Sequence, residues 1–164
     1  MEYSKDATRL EKNEMFDTSK IGHSFPPFAV TVEPTKIREL AQAIGDDNPL
    51  YQSSQGAQET GSSQVALFPT TGTIFLFWGN THFVEHLAEL GLDVARLMHR
   101  EETYDYFASV SAGETLTGVM TVLDGSTRKG SHSSSIDLVT LQLRYTNQHD
   151  QLVLVATTRL ASRD

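Results

Sequence analysis

The chain of 164 residues contains no cysteine. This absence excludes disulfide bonds, thiolate zinc sites and a cysteine nucleophile. Basic residues are also in the minority, with 13 Lys and Arg against 21 Asp and Glu and a formal net charge of −8. Because a nucleic-acid-binding surface needs basic residues to neutralise phosphate groups, we expect no nucleic-acid partner.

Long apolar runs are missing as well. No stretch is long enough to span a bilayer, and residues 1–20 lack the apolar core of a signal peptide. We therefore expect a cytoplasmic protein without membrane association. The chain has no Gly-rich phosphate loop of the Walker or Rossmann type and no Gly-x-Ser-x-Gly element. We expect it to carry no cofactor.

The length predicts one domain. We assign residues 1–20 to an N-terminal arm and residues 21–164 to the domain itself. Within the arm, the stretch "RLEKNEMF" predicts a short helix with few apolar anchors, namely Leu10 and Met15 or Phe16.

The next segments alternate between strand and helix patterns. "FPPFAVTV" predicts an extended strand, and a helix follows from Pro34 to a stop at Gly45, with apolar residues at i, i+3, i+4 and i+7. Residues 46–66 are rich in Ser, Gln and Gly and predict an irregular connection. A second helix is predicted from Thr71 to His86. Its first half is apolar nearly all round, so we expect that half to be buried. The apolar run comprises Ile74, Phe75, Leu76, Phe77 and Trp78.

The last third changes to the two-residue period of β-strands. Strands are predicted in 104–110, 114–124, 134–147 and 151–163, with a polar loop at 125–134 and a tight hairpin at "NQHDQ". Arg128 and Lys129 are the basic residues of that loop, and we interpret them as a solvated hairpin tip. The predicted fold class is α+β, with an antiparallel sheet wrapped around one apolar helix.

A family resemblance rests on "AIGDDNPLY", residues 43–51. It resembles the hydratase motif of MaoC-like proteins, the R-specific enoyl-CoA hydratase relatives, which reads roughly Gly-Asp-x-Asn-Pro-(aliphatic)-His. The segments 21–46, 67–73, 97–122 and 141–160 resemble the FAS1-like dehydratase N-terminal domain. The resemblance implies a single hot-dog domain. One position departs from the motif, because Tyr51 stands where the family has histidine.

The resemblance also implies an activity, the addition or removal of water across a 2-enoyl thioester of CoA or acyl carrier protein. It implies that Asp46 is the catalytic acid and that Asn48, Thr71 and Gly72 contact the substrate. In the family, backbone N–H groups at the start of the central helix polarise the thioester carbonyl. Histidine, with a reference pKa of about 6.5, can exchange a proton near neutral pH, whereas tyrosine, at about 10, cannot. We therefore expect Tyr51 to be non-catalytic.

Several functions stay open at this stage. The first is a substrate-holding, non-catalytic subunit of a (3R)-hydroxyacyl dehydratase, paired with a catalytic MaoC-like subunit. The second is a homo-oligomeric enzyme that uses Asp46 and an unassigned second group. A catalytically silent hot-dog binding module and a hot-dog thioesterase are the others. Asp46 and Asp47 also suit a plain turn after a helix, and packing is the simplest role for Tyr51.

Two histidines suggest a metal site that we reject. "HFVEH" matches the His-x-x-Glu-His pattern of zinc peptidases, with His82 and His86 on one helical face. The match is short, and no clear third ligand accompanies it, although Glu102 and Glu114 remain candidates. We predict that no metal binds there. His99, just before a predicted strand, is interpreted as a surface residue.

Overall fold

The computed structural model describes residues 16–62, 64–129 and 135–163. Five strands form one antiparallel sheet in the order β1-β3-β4-β5-β2. They are β1 (Phe28–Thr31), β2 (Leu97–Tyr106), β3 (Thr115–Lys129), β4 (Ser135–Thr146) and β5 (Leu152–Arg163). The helices are α1 (Pro34–Ile44), α2 (Pro49–Gln52), α3 (Ser54–Glu59), α4 (Thr71–Gly79) and α5 (Phe83–Glu89), with 3₁₀ turns at Thr18–Lys20 and Val94–Arg96. The predicted α+β class is confirmed.

The alternation of buried and exposed side chains along the strands shows which face of the sheet is turned to the core. In β4 every second side chain is buried, because successive side chains point to opposite faces of a strand. The buried apolar members are Val139, Leu141, Leu143 and Tyr145. The predicted hairpin between β4 and β5 is present, with the Asn147 N–H donating to the Gln151 carbonyl at 2.9 Å and Asp150 at a φ of 58°.

Helix α4 lies on the inner face of the sheet and contacts β1 and β5. Phe75 and Leu76 are buried, as expected. The expectation that the whole apolar run is buried was wrong at Phe77, whose residue surface is 64% exposed. The sheet covers only one side of the helix. On the other side Phe77 packs edge-on against Phe83, with ring centroids 5.6 Å apart.

The predicted helix from Thr71 to His86 is in fact two helices. α4 ends at Gly79, where an added Cβ would lie 2.8 Å from the Ala29 carbonyl oxygen of β1. Asn80 then turns the chain, and its side-chain oxygen accepts the His82 N–H at 3.2 Å, just before α5. The break falls in the polar stretch "GNTH", residues 79–82, which the prediction had included in a single helix.

Residues 46–66 were predicted to be irregular, but they contain α2 and α3. The side chains of Asn48 and Ser53 accept backbone N–H groups at the two helix starts, from Leu50 at 3.0 Å and Gly56 at 3.0 Å. Gly56 packs so closely on Pro49 that an added Cβ would lie 2.4 Å from the Pro49 carbonyl oxygen. These capping hydrogen bonds and the close Gly56–Pro49 contact stabilise α2 and α3, although the two segments have modest helix propensity.

Phe16, the first described residue, is buried and packs against Gly125 of β3. The Asp17 N–H donates to the Leu90 carbonyl at 3.3 Å. The other predicted anchors, Leu10 and Met15, lie outside the described residues. None of the helices in the described part of the chain is both long and apolar enough to cross a bilayer.

Strand β2 begins seven residues earlier than the predicted strand at 104–110, so His99 lies inside the strand rather than before it. Its side chain is 49% exposed, and its Nε2 lies 2.7 Å from Glu102 Oε2. At the far end of β3, Arg128 and Lys129 are still in the strand and exposed. Residues 130–134 of the predicted polar loop lie outside the described residues.

Candidate functional site

The motif segment starts where α1 ends. Gly45 has a φ of 73°, a left-handed conformation that favours glycine and commonly terminates helices. The Asp46 N–H donates to the Ala41 carbonyl at 2.8 Å, which closes the helix. Asp46 is thereby placed at a turn between α1 and α2, and it is half-buried.

The carboxylate of Asp46 takes part in this turn. Its Oδ1 accepts the Asn48 N–H at 2.9 Å, and its backbone carbonyl accepts Gln52 Nε2 at 2.8 Å. Asn48 is in turn the cap of α2 and is exposed. Both residues therefore have local structural roles. In the described part of the chain, Asp46 Oδ2 makes no hydrogen bond, so one carboxylate oxygen is not committed to the turn.

Tyr51 lies in α2 and is packed rather than free. Its ring stacks on Phe68, with centroids 3.9 Å apart and an interplanar angle of 25°. Beside the stack, the Ala66 N–H donates to the Leu50 carbonyl at 3.3 Å, which ties α2 to the segment before α4. Tyr51 thus joins the motif segment to the start of the central helix.

The start of α4 is tightly held. Thr71 donates both its backbone N–H and its hydroxyl to the Phe68 carbonyl, at 3.0 and 2.7 Å. Gly72 is buried, and an added Cβ would lie 2.6 Å from Tyr104 Cε1. Tyr145 donates its hydroxyl to the Gly72 carbonyl at 3.3 Å. The first N–H groups of a helix have no acceptor within the helix and suit a carbonyl that gains negative charge.

Sequence reasoning missed two tyrosines of β2 that hold this helix start. The Tyr104 hydroxyl bonds to the Thr73 hydroxyl and donates to the Thr70 carbonyl at 3.3 Å. Tyr106 donates to the Pro69 carbonyl at 2.5 Å. Burial raises the pKa of Tyr106 to about 12 and also raises the pKa of Tyr104, so both phenols stay protonated donors. Their two-residue spacing in "YDYF" was the available signal.

A groove of about 620 Å³ adjoins this helix start. We call it the helix-start groove, and it is defined by residues 62, 64–69 and 106–111. Its walls include the exposed Phe107, the half-buried Val110 and Phe68, the residue that stacks on Tyr51. The groove therefore adjoins the predicted substrate-contacting residues Thr71 and Gly72 along the chain.

Asp46 is less directly connected to the start of α4 than Tyr51 is. Within the described residues, no hydrogen bond joins its carboxylate to α4. The structure thus links Tyr51, Phe68 and Thr71 by direct contact and places Asp46 at the turn that precedes them.

The histidines form a separate cluster. The ring of His86 is buried and stacks on Phe25, with centroids 4.3 Å apart, and the ring of His82 lies 6.3 Å away. Burial lowers the pKa of His86, with the nearby Glu89 opposing the effect. Among the described residues, no three His, Asp or Glu side chains are grouped so as to hold a metal ion.

Comparison with known proteins identifies the family of the chain. The profile of the FAS1-like dehydratase domain region matches residues 19–156. The chain belongs to this FAS1-like dehydratase family. Its relatives include the UPF0336 protein SCO4636 of Streptomyces coelicolor, 31% identical over 90% of this chain and 95% of the relative. The UPF0336 protein of Saccharopolyspora erythraea is 31% identical over 90% of this chain and 91% of its own.

Solved structures share the fold. The C-terminally truncated HadBC (3R-hydroxyacyl-ACP dehydratase) complex of Mycobacterium tuberculosis superimposes with a TM-score of 0.70, at 24% identity over 87% of this chain and 97% of that chain. The MaoC-like dehydratase of Rhodospirillum rubrum gives 0.62, at 20% identity over 91% and 97%. The ChsH1–ChsH2 complex of M. tuberculosis gives 0.62, at 17% identity over 87% and 98%. The hot-dog fold predicted from the resemblance is confirmed.

In the segment that resembles the hydratase motif, Asp46 and Asn48 form the turn before α2, and Tyr51 packs on Phe68 beside the start of α4. The catalytic and substrate-binding roles expected for these residues stay predictions.

Proposed function

We propose that this chain is the substrate-holding, non-catalytic subunit of a (3R)-hydroxyacyl-thioester dehydratase that acts on acyl groups carried by CoA or acyl carrier protein. The observation that carries the proposal is the Tyr51–Phe68 stack, 3.9 Å between centroids, at the motif's histidine position. A tyrosine held in this way does not supply the missing acid–base group.

The chemistry explains why this position decides the function. Dehydration removes a proton from the α-carbon of the thioester and expels the β-hydroxyl as water, and hydration reverses both steps. One group must take a proton and another must give one near neutral pH, which favours pKa values close to 7. An imidazole offers a donor and an acceptor ring nitrogen for this exchange, whereas a phenol offers a single hydroxyl. Asp46 has one oxygen committed to the turn with Asn48.

The features that hold a substrate are retained. The helix-start groove offers about 620 Å³ beside α4, which is room for part of an acyl or pantetheine chain. The first-turn amides of α4, including that of Gly72, are suited to polarise the thioester carbonyl. The Tyr104 and Tyr106 hydroxyls bond to the carbonyls of Thr70 and Pro69 and so keep this turn in place.

A second subunit completes the proposal. Strand β2 lies at one end of the sheet and pairs only with β5 in the described part of the chain, so its outer edge is open. Open strand edges favour pairing with another chain. Two of the similar structures, HadBC and ChsH1–ChsH2, are complexes of two named components. These observations support a dimer, and Tyr51 favours a heterodimer with a partner that bears the complete motif.

The test is hydration of crotonyl-CoA and of longer 2-enoyl thioesters, on CoA and on carrier protein, by the purified chain and by its complex with a histidine-bearing MaoC-like subunit. We expect little or no turnover by the chain alone and activity in the complex. Within the complex, Asp46→Asn in this chain should change kcat little, whereas loss of the partner's motif His should abolish turnover. A fully active lone chain would contradict the proposal.

One observation favours a second candidate function, a homodimeric enzyme that uses Asp46 itself. Oδ2 of Asp46 makes no hydrogen bond within the described residues, so the carboxylate retains an oxygen that is able to contact a substrate or water. Such an enzyme would be a hydratase with an unassigned second group or a thioesterase that relies on the carboxylate. Asp46→Asn would then abolish turnover by the lone chain. A chain that binds acyl thioesters but shows no turnover, either alone or with a partner, would instead be a silent binding module.

A further inference from the structure

We propose that the outer face of the sheet carries a binding site for a phosphate-ester or diphosphate anion, centred on Arg100, Arg128 and Arg159. This site lies on the face of the sheet that points away from α4. It is independent of the acyl-thioester chemistry proposed above and uses none of the residues assigned to it.

The three arginines line one groove of about 240 Å³, which we call the arginine groove. They come from three different strands, β2, β3 and β5, and are separated by about 30 residues along the chain. The pairing register brings them together. Glu101 lies opposite Arg159, Arg159 opposite Thr140, and Thr140 opposite Asp124, so these four side chains form a row across the sheet.

The face of this row follows from burial. The residues that alternate with it, Leu141 and Thr158, are buried on the core side, while Arg159 and Asp124 are exposed. Arg128 lies four residues beyond Asp124 on β3, which returns its side chain to the same face.

Two strand irregularities flank the arginine groove. The register of β2 shifts between His99 and Glu101, so Arg100 is the extra residue of a bulge. The register of β3 shifts between Val122 and Asp124, at the start of the segment that leads to Arg128. Bulges redirect side chains and are enriched next to binding and active sites. Without the bulge in β2, Arg100 and Glu101 would occupy successive positions on opposite faces. With it, both line the groove.

The charges favour an anion. Arg159 forms a hydrogen-bonded ion pair from its Nη1 to Glu101 Oε2 at 2.8 Å. Within the described residues, Arg100 and Arg128 form no ion pair. Three arginines against Glu101 and Asp124 leave a net charge of +1 in the groove, in a chain whose overall charge is −8.

The volume and the donors indicate the class of ligand. Guanidinium groups bind phosphate oxygens, like carboxylate oxygens, through paired hydrogen bonds. Three arginines on different strands suit a group with three or more oxygens, such as a phosphate, better than the two oxygens of a carboxylate. The hydroxyls of Ser126 and Thr140 add neutral donors on the groove floor. A space of about 240 Å³ suits a phosphate or diphosphate group rather than a whole nucleotide. The phosphate could belong to a free diphosphate or to the nucleotide end of coenzyme A.

The experiment is isothermal titration of the full chain with inorganic pyrophosphate at low ionic strength, where screening is weak. We expect saturable binding with a dissociation constant below about 1 mM. Arg100→Gln and Arg128→Gln should each weaken binding about tenfold, the cost of losing a charge-assisted hydrogen bond. Asp124→Asn should strengthen binding, because it removes a competing negative charge. Arg38→Gln, an exposed arginine of α1 outside the groove, is the matched control and should change nothing.

Two competition measurements then distinguish the source of the phosphate. Competition by coenzyme A but not by pantetheine, which has no phosphate, would assign the site to the nucleotide end of coenzyme A. Pyrophosphate binding without competition by coenzyme A would assign it to a separate phosphate ligand. The proposal is overturned by the absence of saturable pyrophosphate binding, by equal affinities of Arg128→Gln and Arg38→Gln, or by weaker binding in Asp124→Asn. The outcomes that overturn this site leave the acyl-thioester proposal to be tested separately by the hydration assay.

Discussion

Replacing Gly72 by alanine tests whether the start of α4 is set by close packing. The added Cβ would lie 2.6 Å from Tyr104 Cε1, 2.9 Å from Tyr104 Cδ1 and 3.0 Å from Leu154 Cδ2. The tyrosine ring is not free to swing away, because its hydroxyl bonds to Thr73 and Thr70. Either the ring leaves these partners or the first turn of α4 moves outward.

The magnitude follows from two opposing effects. Overpacking a tight site costs about 1–3 kcal/mol, and the better helix propensity of alanine returns at most about 1 kcal/mol. We expect Gly72→Ala to lower the free energy of unfolding by about 1–2 kcal/mol, which for a chain of this length is a fall in Tm of roughly 2–8 °C. Urea and thermal unfolding measure the change.

The same substitution in a Tyr104→Ala variant separates steric strain from other effects. The Tyr104 ring, which would clash with the added Cβ, is absent from that variant, so Gly72→Ala should there be neutral or stabilising. The two substitutions should therefore show a coupling energy of about 1 kcal/mol or more. The reasoning is refuted if Gly72→Ala costs the same in both backgrounds, or if it leaves the Tm of the wild-type chain unchanged.

Three further predictions concern pH, metal and assembly. Burial holds the pKa of His86 below its ordinary value. As the pH falls, the unfolded chain therefore takes up a proton at this histidine before the folded chain does. The stability of the folded chain is highest above about pH 6.5 in this respect and declines at lower pH. Urea midpoints between about pH 5 and 8 should show this decline, and His86→Phe should reduce it; equal slopes would contradict the prediction. Elemental analysis should find no stoichiometric zinc at His82 and His86, and about one zinc per chain that is lost in His86→Ala would refute this. Light scattering should give a dimer mass at micromolar concentration, and a monomer mass would count against pairing at β2.

Elements with strong local signals were predictable from the sequence. The alternation in β3, β4 and β5 and the turn at "NQHDQ" are local, and the structure agrees with them. The two short helices after Asp46 were missed because they depend on the capping side chains of Asn48 and Ser53 and on the Gly56–Pro49 contact. The prediction that Phe77 is buried was wrong, because a helical pattern does not show which side of the helix the sheet covers.

The sequence motif names candidate site residues, whose roles stay predictions, but it does not give their geometry. The motif identified Asp46, Asn48 and Tyr51, yet the partner of Tyr51 is Phe68, 17 residues later, and their contact arises only in the fold. The two β2 tyrosines reach the helix start over distances of more than 30 residues in sequence. The arginine groove depends on strand register and on two bulges, neither of which a single sequence encodes in a recognisable local pattern.

The most direct test of the account is the rate of crotonyl-CoA hydration by the purified chain alone, compared with its Asp46→Asn variant. We predict that the lone wild-type chain shows little or no turnover, because the ring of Tyr51 is packed on Phe68 where the motif has an imidazole. We also predict that turnover appears once a histidine-bearing partner is added, and that Asp46→Asn changes it little. Robust turnover by the lone chain that Asp46→Asn abolishes would contradict the non-catalytic assignment and make Asp46 the working acid.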